Sequence, residues 1–199
     1  MKFLHTFVIA ILCVLLVVTP LTGCTASQEK INTAISNIGQ ISLVVQSNAY
    51  LLGSLVSSFD PADSVEISAY AADLQLGSGE LNKLCTSYLA NPSPEILVKI
   101  SDEVSKLATV DSAGLLQLLQ IKNPNSQQTA KAVLIGIATS LTAISVYLSV
   151  TGVAVTPAGM SAMKQLKQVA NVNTLNNELN LAKSQDLVSK STTLSDLGL

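Results

Sequence analysis

The sequence predicts an all-α protein, about five long antiparallel helices of some 25–30 residues in an up-and-down bundle. Three observations predict it. Apolar residues recur at spacings of three, four and seven over most of the chain. Capping side chains directly followed by Pro mark helix starts at Asp60-Pro61, Ser93-Pro94 and Thr156-Pro157. No segment alternates apolar and polar residues as a strand would, and no Asn-Gly or Asp-Gly hairpin signal occurs.

The first element covers 27–59. Ile31, Ile38, Val45, Leu52 and Phe59 stand seven apart, Ala34, Ile41 and Leu55 fill intermediate positions, and Asn48 breaks the stripe. Such a heptad stripe is the core face of a long bundle helix or the seam of an intermolecular coiled coil. The second element, 61–90, carries Ile67, Tyr70, Leu74, Leu81, Leu84 and Tyr88 inward. Its Gly77-Ser78-Gly79 leaves the stripe in phase, which predicts a weakened or kinked helix. The triplet lacks the spacing of a phosphate-binding loop and no Lys follows it directly.

The third element starts at Pro94 and turns Leu97, Ile100, Val104 and Leu107 inward. Glu95, Lys99 and Glu103 form an i, i+4 ladder, with Asp102 and Lys106 beside it. Adjacent Asp102 and Glu103 have the chemistry of a carboxylate pair, but each has a Lys one turn away, so they read as a solvated face. The pattern weakens over 109–114, resumes at Leu115 to Leu119, and ends at Asn123-Pro124-Asn125.

Residues 132–163 carry no charge. Leu134, Ile137, Leu141, Ile144 and Leu148 form one stripe, and Ala138, Thr142, Ser145 and Ser149 form a second stripe of small residues. The stretch 132–155 is long and apolar enough to cross a bilayer. A buried helix at the centre of a soluble bundle is the preferred reading, because four amphipathic neighbours offer matching stripes and no Trp or Tyr flanks the run. A last helix is expected from Pro157 to about Lys183 with Met160, Met163, Leu166, Val169, Val172, Leu175 and Leu179 inward, the two Met as core fillers. From about Ser184 the Ser/Thr-rich tail should be loose.

Ahead of the bundle the chain reads as a leader. A basic start at Lys2, an apolar run from Phe7 to Val18 and the small residues that follow have the layout of a secretory signal. Leu21-Thr22-Gly23-Cys24 resembles the lipobox of bacterial lipoproteins. That resemblance implies cleavage after Gly23, a diacylglyceryl group with palmitate-type acyl chains on the Cys24 thiol, and attachment to a membrane of the cell envelope. It covers the leader alone. Because residue 25 is Thr rather than Asp, it also implies the periplasmic face of the outer membrane in a cell with two membranes. The expected organisation is therefore a signal peptide over 1–23 and one helical domain over 24–199, with a short tether.

Composition narrows the chemistry. Charged residues make up 12% of the chain, about half the ~25% of ordinary soluble domains. All 11 basic residues are Lys, and without Lys2 the formal charge of −2 becomes −3. No Arg occurs, so a nucleic-acid partner is not expected. The one His, His5, lies in the leader; beyond it there is no imidazole for proton transfer or metal binding. Neither a cofactor nor a metal is expected. Cys13 goes with the leader and Cys24 is the lipid acceptor, which leaves Cys85 alone, without a disulfide partner and in place as a small core hydrophobe. General acid–base work would fall on Asp, Glu, Lys or Tyr, and no Ser-x-x-Lys arrangement is read as a nucleophile. The expectation is a non-enzymatic, lipid-anchored module whose partner is another protein or a second copy of itself. The alternatives are a carrier holding a lipid-like ligand between helices and a bundle with one membrane-inserted helix over about 132–155.

Overall fold

The computed structural model describes residues 26–56, 59, 61–118 and 123–199, and among these there is no strand. Six helices follow one another: α1 Gln28–Ser54, α2 Pro61–Ala90, α3 Pro94–Gln117, α4 Pro124–Thr151, α5 Pro157–Val169 and α6 Val172–Ser184. A 3-10 turn, Ser195–Leu197, comes last.

Local chemistry fixes most of the boundaries. Ser93 Oγ accepts from Ile96 N at 3.3 Å and Thr156 Oγ1 from Gly159 N at 3.2 Å, each with Pro in the first turn. Pro61 opens α2; Asp60 lies outside the described residues. Asn123-Pro124 was expected to close a helix, and it opens α4 instead. Asn123 Oδ1 accepts from Asn125 N at 3.1 Å and Ser126 N at 3.3 Å, so the dipeptide caps α4, while α3 already ends at Gln117. Gly152, at φ 72°, ends α4 in the left-handed conformation that lacks a Cβ penalty.

The first four helices close into a ring: α1 packs on α2, α2 on α3, α3 on α4 and α4 back on α1. Short connections between packed neighbours make them antiparallel. Accordingly Gly39, early in α1, meets Cys85 late in α2, while Gly53 meets Ala71 and Gln75. The shorter α5 lies across α3 and α4, and α6 lies on α4. Buried heptads face the axis: Ile38, Val45 and Leu52; Ile67, Leu74, Leu81 and Tyr88; Leu134, Leu141 and Leu148. Phe59 is buried just beyond the end of α1, whereas Ile31, Tyr70 and Leu84 are only half-buried.

The helix count differs from expectation because the last helix breaks in two. Ala170 turns extended at ψ 150° and Asn171 caps α6 by accepting from Asn173 N at 3.0 Å and Thr174 N at 3.2 Å. At the break Val169 and Val172, expected inward, are exposed, and Met160 in the first turn of α5 is exposed as well, while Met163, Leu166, Leu175 and Leu179 are buried. Around 109–114 the helix is continuous, and the weak pattern there has a specific cause. Leu97, Val104, Asp111 and Leu118 occupy one heptad column, with a carboxylic acid in a core position.

Helix α4 is the hub. Its 28 residues, at a mean hydropathy of 2.0 in their most apolar 18-residue window, are long and apolar enough to cross a membrane, yet 67% of that window is buried inside the bundle. Its hydroxyls are satisfied locally: Thr139 Oγ1 donates to Ile135 O and Thr142 Oγ1 to Ala138 O, each at 2.8 Å. The tail is docked where looseness was expected. Leu187 is buried, Leu194, Leu197 and Leu199 pack on the core, Asn37 Nδ2 donates to Gln185 Oε1 at 2.8 Å, and Lys30 Nζ pairs with Asp186 at 2.9 Å.

Candidate functional site

A groove of about 410 Å³ lies between the C-terminal part of α4 and helix α5. Ser145, Leu148 and Ser149 form one wall, residues 153–155 the floor, Met160, Met163, Lys164 and Lys167 the opposite wall, and residues 197–199 the third side. The floor is held to α3: Ser101 Oγ donates to Ala154 O at 2.9 Å, and Thr156 N donates to Ser105 Oγ at 3.2 Å. Gly159 lets α5 lie directly on α3, because a Cβ there would fall 2.5 Å from Ser105 Cβ. The third side is tied across the groove by Lys167 Nζ, which donates to Gly198 O at 2.7 Å. Met163 is buried and Met160 is 53% exposed, so one expected core filler is a groove wall open to solvent. The lining holds two Lys, no acidic side chain and the α-carboxylate of Leu199, and Lys164 makes no ion pair or hydrogen bond among the described residues.

A second hollow, of about 610 Å³, lies beside it and shares Ser149. Ala26, Ser27, Lys30 and Ile31 line it from the start of α1, and Leu187 from the tail. The chain enters the bundle here. Leu21, Thr22, Gly23 and Cys24 themselves lie outside the described residues.

The other candidates fall apart chemically. Asp102 is exposed, as a solvated face requires, whereas the Glu103 side chain is only 14% exposed, tucked against Gly77 of α2 and accepting from Lys106 Nζ at 3.4 Å; the two carboxylates have different surroundings and line neither hollow. Gly77, Ser78 and Gly79 sit inside an unbroken helix, where backbone N–H groups are spent on helical bonds rather than offered to a phosphate. Ser-x-x-Lys spacing occurs twice, as Ser27 with Lys30 and as Ser161 with Lys164. Ser27 Oγ accepts from Lys30 N as a helix cap and Lys30 Nζ is held by Asp186; Ser161 makes no hydrogen bond to Lys164. Neither pair has a base within reach of the hydroxyl. Among the described residues no group of three or more His, Cys, Asp and Glu comes together.

Among the described residues, three buried ionisable groups are held above their ordinary pKa. Burial pushes the Cys85 thiol up to about 12, partly countered by a backbone hydrogen bond. Tyr147 is fully buried, and its hydroxyl donates to Glu178 Oε2 at 2.8 Å; burial first, then the bond to that carboxylate, raises the phenol. Asp111 is fully buried, neither of its carboxyl oxygens has a hydrogen-bond partner, and burial raises its pKa well above the ordinary value.

Sequence reasoning missed the groove, Asp111 and the Tyr147–Glu178 bond. The groove did leave a signal: after the uncharged 132–163 stretch, Lys164 and Lys167 arrive three residues apart, each four residues after Met160 and Met163. No protein-family model, curated protein or solved structure matches the chain.

Proposed function

We propose that the chain is a lipid-anchored, non-enzymatic helical module of the cell envelope that holds or positions another protein, or a second copy of itself, beside a membrane. Attachment would run through the acyl chains on Cys24, in a two-membrane cell on the periplasmic side of the outer membrane. The Leu21-Thr22-Gly23-Cys24 motif supports that placement, with only a few residues between the lipid acceptor and α1 at Gln28. The absence of an enzymatic role is supported by the fates of the reactive side chains: Asp111 and Cys85 are sealed in the core, and Asp102 is solvated.

The observation that carries the interaction role is an apolar stripe on the outer face of α2. Val65, Ala69, Ala72 and Leu76 follow at i, i+4, i+7 and i+11; Val65 is 70% and Leu76 74% exposed. Tyr50 of α1, 72% exposed, stands at the same level, since Gln75 Nε2 donates to Ala49 O at 3.3 Å. A clustered exposed patch with an aromatic residue has the composition of a protein-binding surface. A photo-cross-linking residue at Leu76, introduced in cells, should give one discrete adduct, and the same residue at exposed Lys99 on α3 should give none. Equal or diffuse labelling at both positions would remove the interaction role. Cys24→Ser should accumulate as an uncleaved precursor, and normal maturation of that variant would remove the anchor.

A further inference from the structure

We propose that the groove between α4 and α5 is a binding site for a medium-chain fatty-acid carboxylate, with the alkyl chain along Leu148, Val153, Met160 and Met163 and the head group at Lys164 and Lys167. This goes beyond the anchored-module reading and does not depend on Cys24 or on the α2 stripe.

Four observations carry it. The lining is mostly apolar and its charged side chains are of one sign: the ammonium groups of Lys164 and Lys167 stand one helical turn apart, and the α-carboxylate of Leu199, the one anionic group among the lining residues, forms an ion pair with neither. Cations at the rim of an apolar cavity select an amphiphile with an anionic head, and Lys stems lie along apolar surface while their heads stay in water. Lys164 has no partner among the described residues, so its charge is free to be neutralised. The capacity also fits. At about 410 Å³ the groove falls within the ~300–1,000 Å³ of small-molecule sites, a scale that takes a medium-length alkyl chain. Finally, two Met in the wall and a third side held by the single Lys167–Gly198 bond form an adaptable enclosure, which a chain of variable length requires.

The test uses the full chain in phosphatidylcholine nanodiscs with a photoreactive dodecanoate, its diazirine near the ω end, and maps the cross-linked peptides by mass spectrometry. Labelling is expected in the segments containing Met160 to Met163 and Leu197, saturable by plain dodecanoate and competed at least tenfold less well by dodecanol. Lys164→Glu, at an exposed position that the fold does not need, should weaken labelling about tenfold, and Met160→Trp, which fills the mouth, should abolish it. Circular dichroism establishes that both variants are folded. Equal competition by dodecanol, unchanged labelling in Lys164→Glu, or unsaturable labelling spread over the chain would overturn the site. Stronger competition by dodecyl phosphate than by dodecanoate would overturn the carboxylate assignment.

Discussion

Asp111→Asn tests the interior of the bundle most directly. Asp111 stands between Val104 and Leu118 in the core column of α3, fully buried and with neither carboxyl oxygen hydrogen-bonded. Burial disfavours the carboxylate, so the folded chain keeps the proton well above the ordinary pKa of 3.8, while the unfolded chain releases it near that value. Between the two values the native state binds more protons than the unfolded state, so stability falls as pH rises, by about 1.4 kcal/mol per pH unit for this one group. Each such unit is a sizeable part of the ~5–15 kcal/mol total of a domain of ordinary stability. Asn has nearly the same shape and cannot ionise. Urea unfolding of a chain beginning at Thr25, followed by circular dichroism from pH 4 upward, should show the variant gaining on the parent as pH rises, at no more than that slope and levelling off once the folded parent ionises. Taking the difference between the two curves cancels the other carboxylates. Parallel curves would show that Asp111 titrates alike in both states, and a parent that gains on the variant with rising pH would show an ionised, partnered carboxylate; either outcome refutes the reasoning.

Three further outcomes are expected. Gly159→Ala should cost about 1–3 kcal/mol in urea midpoint, because its Cβ would fall 2.5 Å from Ser105 Cβ, while Gly136→Ala, with its nearest neighbour at 3.6 Å, should gain about 0.5–1 kcal/mol from helix propensity. Cys85 should resist thiol reagents in the native state and react only as the chain unfolds, since its thiol stays protonated across the neutral range; rapid native labelling would contradict its place in the core. Leu141→Lys should unfold or aggregate the chain by leaving an unpaired charge at a fully buried position of α4, a loss of several kcal/mol visible as lost helicity at 25 °C.

The long helices were legible because each buries a single apolar face, and a heptad stripe such as Ile67, Leu74, Leu81 and Tyr88 carries that information without reference to its neighbours. Caps that combine a hydrogen-bonding side chain with Pro were legible for the same local reason. The break at Ala170-Asn171 was not, because Met160 to Leu179 supports one long stripe on paper, and only the docking of two short helices on α4 makes Asn171 a cap. Asp111 was unreadable as a core residue, since a carboxylate in a heptad position looks like the end of a pattern. The groove depends on residues 145–149, 153–167 and 197–199 meeting, and sequence spacing does not encode that encounter.

The docking of the tail on α1 also sets an order of events. Lys30 meets Asp186 and Asn37 meets Gln185, so α1 receives these neighbours from segments 156 and 148 residues further along the chain. Loop closure over such a separation is slow relative to hairpin formation between successive helices. The ring of α1 to α4 should therefore assemble first, with the start of α1 uncovered until Leu187 arrives. A chain with the ring formed and residues 185–187 still undocked would have one open seam at the start of α1, the point at which a folding factor or a protease would distinguish an unfinished copy from a finished one.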